Sequence, residues 1–178
     1  MKKIMIMLAM LTMTMAASAQ FERSKTFVGA SLSGLNLAYN GGDKFQIGVN
    51  AQVGTFVQDD WMVFGQVGFN HKGGDFKSND LKLGIGGRYY IEQNGLFLGA
   101  NANYIYRSPA LKHNDFMPGI EIGYAFFVGG KMTIEPAIYY DQSLSDHKNY
   151  STIGLKVGIG LYHKKKEIAN SVINAFQQ

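Results

Sequence analysis

Residues 81–106 read LKLGIGGRYYIEQNGLFLGANANYIY. Two runs of alternating residues flank Glu92-Gln93-Asn94-Gly95, and Asn-Gly is a strong hairpin signal because both residues tolerate positive φ. In the first run Leu81, Leu83, Ile85, Tyr89 and Ile91 share one face, with Lys82, Gly84, Gly86, Arg88 and Tyr90 on the other. In the second, Leu98, Ala100, Ala102, Tyr104 and Tyr106 oppose Phe97, Gly99, Asn101 and Asn103. Successive side chains of a strand point to opposite sides, so each strand has one apolar face and one glycine-and-polar face. The medium that meets the apolar face decides the fold.

The same period extends in both directions from this hairpin. Toward the N-terminus it marks runs at about 26–39, 44–57 and 61–70, and toward the C-terminus at about 116–128, 132–141 and 150–162. Together these make eight runs, with no helical period of comparable strength between them. The second is the most regular: Phe45, Ile47, Val49, Ala51 and Val53 oppose Gln46, Gly48, Asn50, Gln52 and Gly54. In the first run the apolar parity shifts near Ser33-Gly34, which predicts a bulge. Pro136 lies inside the seventh run and has no N–H to donate, so a bulge or a register irregularity is expected there. Pro118 sits near a strand start and is better tolerated.

The totals bound the setting. Lys2 and Lys3, an apolar stretch over Ile4–Met15 and Ala17-Ser18-Ala19 have the order of a secretory signal, giving residues 1–19 as signal peptide. The apolar stretch is too short to cross a bilayer as a helix. Without Lys2 and Lys3 the formal charge of +4 falls to about +2, too little to argue for nucleic acid. There is no cysteine, so neither a disulfide nor a lipidated N-terminal cysteine is available. Charged residues make up 17% and aromatics 13%, with 22 glycines, a balance that suits a surface not wholly in water.

Three features turn the apolar face toward lipid. The links alternate in length: Gln58-Asp59-Asp60, 92–95 and Gly129-Gly130-Lys131 are tight, whereas 40–43, 71–79, 107–115 and 141–149 are mostly longer and polar. Short turns at one end and long loops at the other are the pattern of outer-membrane barrels, with the short end in the periplasm. The polar face is also rich in glycine, including Gly48, Gly84, Gly86, Gly99, Gly123, Gly154 and Gly160. Glycine weakens a solvent-facing strand, but in a small closed barrel it makes room for the large side chains that fill the interior. Tyr39, Trp61, Phe69, Tyr89, Tyr104, Tyr106, Phe126 and Tyr140 fall toward the run ends of the apolar face, as interfacial girdles do. The expected fold is all-β, an eight-stranded antiparallel up-and-down transmembrane β-barrel over residues 20–163. Residues 164–178 then form a periplasmic tail, in which Ile168, Val172 and Phe176 have the spacing of a short helix.

Gly54-Thr55-Phe56-Val57-Gln58-Asp59-Asp60, Arg88-Tyr89-Tyr90 and Gly123-Tyr124-Ala125-Phe126-Phe127 carry a resemblance. With them, the chain up to Tyr162 resembles the outer-membrane protein β-barrel domain family, the small porin-like barrels of OmpA and OmpX type. The resemblance implies the cell outer membrane of a Gram-negative envelope more than it implies an activity. The C-terminus departs from it: such barrels commonly finish on an aromatic residue read by the assembly machinery, whereas here Tyr162 is followed by HKKKEIANSVINAFQQ.

The inward face supplies the candidate functional residues. Counted from the short-turn end, Arg88 stands level with Glu135 and Lys156 with Glu121, so a lumen network of these four charges is expected. Phe56, Met62, Phe64, Tyr90 and Phe97 point inward by parity near the same end and are expected to plug the lumen. A structural or surface-interaction role follows from a filled lumen, the alternative being a narrow pore for small solutes. An outer-leaflet lipid-modifying enzyme is the more distant reading: His71, His113 and His147 fall in three long links, near Ser108, Ser143 and Ser145. The expectation is no catalytic residue, no metal and no cofactor. The loops carry Lys44, Lys72, Lys77, Arg107, Lys112 and Lys148 mixed with Asp43, Asp75, Asp115 and Asp146, a solvated rim or a surface for lipopolysaccharide phosphates. Expected partners are outer-membrane lipids, lipopolysaccharide and the barrel-assembly machinery, with no nucleic acid and a monomeric state.

Overall fold

The structure is a computed structural model and describes residues 21–33, 45–73, 78–91, 94–108, 114–128, 130–145 and 151–164. The strands are β1 (Lys25–Ser33), β2 (Phe45–Gln58), β3 (Trp61–Gly73), β4 (Ser78–Tyr90), β5 (Leu96–Ser108), β6 (Asn114–Tyr124), β7 (Phe126–Val128), β8 (Met132–Asp141) and β9 (Thr152–Lys164). Apart from β6 and β7, each pairs antiparallel with its neighbour in sequence; β6 and β7 both pair with β8, and β1 pairs with β9. β7 therefore continues β6, and the nine segments fill eight positions of one closed barrel. Closure leaves no free sheet edge, so the ladder satisfies the backbone without help from solvent.

Alternation sorts the side chains as the period requires. Val49 pairs with Phe69, Val67 with Leu83 and Leu83 with Tyr104, a row of outward apolar residues running round the wall. The inward set packs as the core, with Phe21, Phe27, Phe56, Met62, Phe64, Tyr90, Phe97, Ala125, Ala137 and Tyr162 in one cluster. On β3 the outward belt runs from Trp61 to Phe69, both exposed. At the rise and tilt usual for such strands it stands about 20 Å tall along the barrel axis, a little under the apolar band of about 25 Å usual for transmembrane barrels. Asp60 (φ 65°), Gly95 (φ 97°) and Gly130 (φ 84°) adopt the left-handed backbone that closes the tight turns.

Several expectations need correction. Pro136 causes no register shift with β9, where Met132↔Leu161 through Asp141↔Thr152 run unbroken. Its effect falls on the other neighbour. Pairing of β8 with β6 stops at Gly123↔Ala137 and resumes with β7 at Phe126↔Ile134, leaving Tyr124 and Ala125 outside the ladder opposite Pro136 and Glu135. The Ala125 N–H points to the opposite side, where it donates to the Gly95 carbonyl (2.8 Å) and extends the β5–β6 register. The register shift that does occur lies between Phe56 and Gln58 on β2. Ser33 pairs regularly with Gly48 and Lys156, and the remainder of the shift expected at Ser33-Gly34 lies outside the described residues.

The strands also run further toward the long-link end than the apolar alternation does. β3 continues through Asn70, His71 and Lys72 because the backbone ladder needs no apolar side chain to persist. His71, Lys72, Arg107 and Asp115 are consequently strand residues rather than loop residues. Residues 1–20 and 165–178, which include the expected signal and most of the expected tail, lie outside the described residues, as do Tyr39, His113 and His147.

Candidate functional site: the barrel lumen

The lumen is built in layers. At the short-turn end, rings from β2, β4, β7 and β9 converge: Phe56, Tyr90, Phe127 and Tyr162, with Phe21 among them. Tyr90 and Tyr162 join through their hydroxyls (3.0 Å), so burying them leaves no phenol unpaired.

Above the rings lies Arg88, inward on β4 and only 3% exposed. Its Nε donates to Glu121 Oε1 (2.6 Å), Nη1 to Glu135 Oε2 (2.9 Å) and Nη2 to Gln52 Oε1 (2.9 Å). The faces of Phe97, Phe64 and Phe27 lie 4.5, 5.4 and 5.5 Å from its central carbon. A planar fork that meets carboxylates and stacks on rings is what arginine offers and lysine does not. Lys156 reaches the second oxygen of Glu121, while Thr133 and Tyr162 donate to Glu135 Oε1 (2.7 and 2.9 Å). The four charges singled out by parity thus meet in one network, with one further link, Arg88 to Glu121. Glu121 itself fits because its facing residue is Gly99, where a Cβ would come within 2.5 Å of Glu121 Cγ.

An amide chain runs across the lumen from there. Gln52 Nε2 donates to Gln66 Oε1 (2.9 Å), Gln66 Nε2 to Asn103 Oδ1 (2.5 Å) and Asn103 Nδ2 to Asn101 Oδ1 (2.5 Å). Toward the long-link end Lys82 pairs with Asp141 (2.9 Å), beside a polar cavity of about 50 Å³ lined by Ser31, Asn50, Tyr139 and Lys156 among others. That volume holds a few water molecules. Near the rim Asp115 accepts hydrogen bonds from the hydroxyls of Ser143 (2.5 Å) and Ser145 (2.9 Å).

The five residues expected as a plug, Phe56, Met62, Phe64, Tyr90 and Phe97, are all buried in the lumen. Sequence reasoning passed over Phe27, Tyr162, Gln52 and Gln66, which share their parity, and over Lys82 with Asp141. It had no means of finding Phe21, which precedes the first strand and belongs to no alternating run. Among the described residues, Ser and His do not form the arrangement an acyl-transfer enzyme uses, and His113 and His147 lie outside them. Ser143 is buried against Asp115, whereas His71 is exposed on the outward parity of β3 with its Nδ1 against Asn79 Oδ1 (2.8 Å). Among the described residues no group of three or more His, Cys, Asp or Glu is placed to hold a metal ion.

A side-chain-filled interior inside an apolar outer belt settles the architecture. This is the fold of a small transmembrane β-barrel. No protein-family model matches the sequence, and no curated protein matches it. Similar solved structures include Neisserial surface protein A, with a TM-score of 0.62 and 12% identity over 77% of this chain and 95% of that one. They also include the outer membrane protein OprG from Pseudomonas aeruginosa (TM-score 0.55, 10% identity, 81% and 98% of the two chains). A third is the Yersinia pestis outer membrane protein Ail in a phospholipid bilayer nanodisc (0.54, 14%, 79% and 100%). At such low identities the likeness is one of fold; OprG and Ail are described as outer membrane proteins and the Neisserial protein as a surface protein.

Proposed function

We propose that the protein is exported by its N-terminal signal to a Gram-negative outer membrane, where it acts as a monomeric structural or surface-interaction barrel. Outer-membrane lipids and lipopolysaccharide surround it, and the barrel-assembly machinery inserts it. The observation that carries this reading is the Arg88 layer. A guanidinium fixed by Glu121, Glu135 and Gln52 and covered by three rings occupies the middle of the lumen and resists replacement by a passing solute. In this reading Arg88, Glu121, Glu135 and Lys156 hold opposite walls together, and the aromatic residues below them stop the lumen.

Passage of small solutes is the second reading, and the polar cavity beside Lys82 and Asp141 favours it. One measurement separates the two. Purified protein refolded in detergent and added to planar bilayers should give heat-modifiable gel mobility and no large, stable conductance steps. Large, stable steps from pure protein would overturn the structural reading in favour of a pore.

A further inference from the structure

Phe21 lies before the first strand and belongs to no part of the barrel wall, yet it is 0% exposed. Its ring stacks on Tyr90 (centroids 4.0 Å apart, planes at 17°) and meets Tyr162 edge-on (5.7 Å, 78°). Phe127 and Phe56 complete the surround at 5.4 and 6.0 Å. The backbone explains how the ring gets there. The Asp60 N–H donates to the Phe21 carbonyl (2.9 Å), the Arg23 N–H to Asp59 Oδ1 (2.7 Å) and the Ser24 N–H to the Phe56 carbonyl (3.3 Å). Ser24, at φ 73°, turns the chain from this segment into β1.

The segment is therefore fastened to the first tight turn and crosses under the mouth of the barrel. Glu22, Arg23 and Ser24 are exposed, so only one side chain enters. A wall strand is held by two ladders and a row of side chains. This segment is held by one ring and by the hydrogen bonds just named.

We propose that residues 21–24 are a displaceable plug and that the seat framed by Phe56, Tyr90, Phe127 and Tyr162 is a binding site for a single aromatic ring. In the resting protein that ring is Phe21. The seat offers faces and edges for stacking and has its phenol hydroxyls already paired to each other, so it recognises an aromatic hydrocarbon surface rather than a charged or sugar-like ligand. The proposal rests on the filled-lumen reading only in that both concern the interior. Because the plug is tethered directly to β1, its effective concentration at the seat is on the order of millimolar or more, and a free competitor must match that.

The chain has no cysteine, which makes a single introduced thiol an unambiguous reporter. Ala125→Cys places one in the same buried cluster while leaving all four framing rings in place. The measurement is its rate of maleimide labelling in the refolded chain from Gln20 onward, with Phe21 intact and with Phe21→Ala, each with and without millimolar benzyl alcohol. Phe21→Ala should speed labelling at least tenfold while keeping heat-modifiable mobility, and benzyl alcohol should slow it again in that variant alone. Equal rates with and without Phe21 overturn the proposal, as does acceleration that benzyl alcohol fails to reverse. Loss of folding in Phe21→Ala overturns it too, since the segment would then be part of the wall. The labelling is read in detergent and is independent of conductance, so this proposal and the filled-lumen reading fail separately.

Discussion

Arg88 sits where a charge is tolerable only while its partners stay. Replacing it with methionine keeps much of the volume and removes three donors, leaving Glu135 without its cation and Glu121 with Lys156 alone. Breaking a buried pair from one side costs about 3 to 5 kcal/mol, so Arg88→Met should lower the urea midpoint in micelles or liposomes accordingly. Adding Glu135→Gln to the same chain should recover part of the loss, because the stranded carboxylate is then gone. Glycine gives a second contrast between the two faces. A Cβ at Gly160 would run into Phe27 and lie 2.6 Å from Thr133 Oγ1, whereas at Gly65, on the outer face, it would meet nothing within 4 Å. Gly160→Ala should cost about 1 to 3 kcal/mol and Gly65→Ala should be neutral or slightly stabilising, measured in the same unfolding assay. Parity alone was enough to bring Arg88, Glu121, Glu135 and Lys156 to one face in the sequence. The Arg88–Glu121 bond was not legible, because the stagger between strands decides heights and alternation carries no trace of it.

At the scale of the element, the turns matter more than the strands they join. In the Asn94-Gly95 turn the Asn94 side chain accepts from the Leu96 N–H (2.8 Å), and the Gly95 carbonyl accepts from the Ala125 N–H, which carries the β5–β6 register one pair further. Gly95 and Gly130 both need positive φ, and a Cβ there costs about 1 kcal/mol or more. At Gly95 it would also stand 2.7 Å from the Ala125 carbonyl, whereas at Gly130 it would meet nothing. Gly95→Ala should therefore be the more destabilising of the two, and the order of their unfolding midpoints tests this. The position of Pro136 was plain in the sequence but its consequence was not. Strand–strand pairing has two sides, and a missing N–H disturbs only the side it would have faced. The extension of β3 and β4 beyond the apolar belt was hidden for a related reason: backbone hydrogen bonds persist where the side-chain pattern has already ended.

For the whole molecule, the decisive quantity is what surrounds the belt. Ile85, 72% exposed, sits midway along it opposite Gly65 and Ala102. Ile85→Arg should cost about 2 to 4 kcal/mol when unfolding is measured from lipid bilayers, as expected near the midplane. A chain whose belt faced water would register almost no change, and that result would remove the transmembrane reading. Eight strands, their order and their inside and outside were readable because period-2 alternation and the short–long sequence of links are properties of every strand at once. Phe21 escaped because one residue has no period.

The pairing of Lys25 with Lys164 puts the beginning of the first strand beside the end of the last. The chain is a walk round a ring, and the place where the walk starts is a matter of genetic order rather than of architecture. A circular permutant, joined by a short flexible linker from residue 164 to residue 21 and opened within residues 74–77, should keep every strand neighbour of the parent. It should also migrate like the parent on an unboiled gel. Should it fail to do so, the first and last strands hold a privileged role in closing the cylinder, and biogenesis rather than the final contacts would dictate where the gene begins.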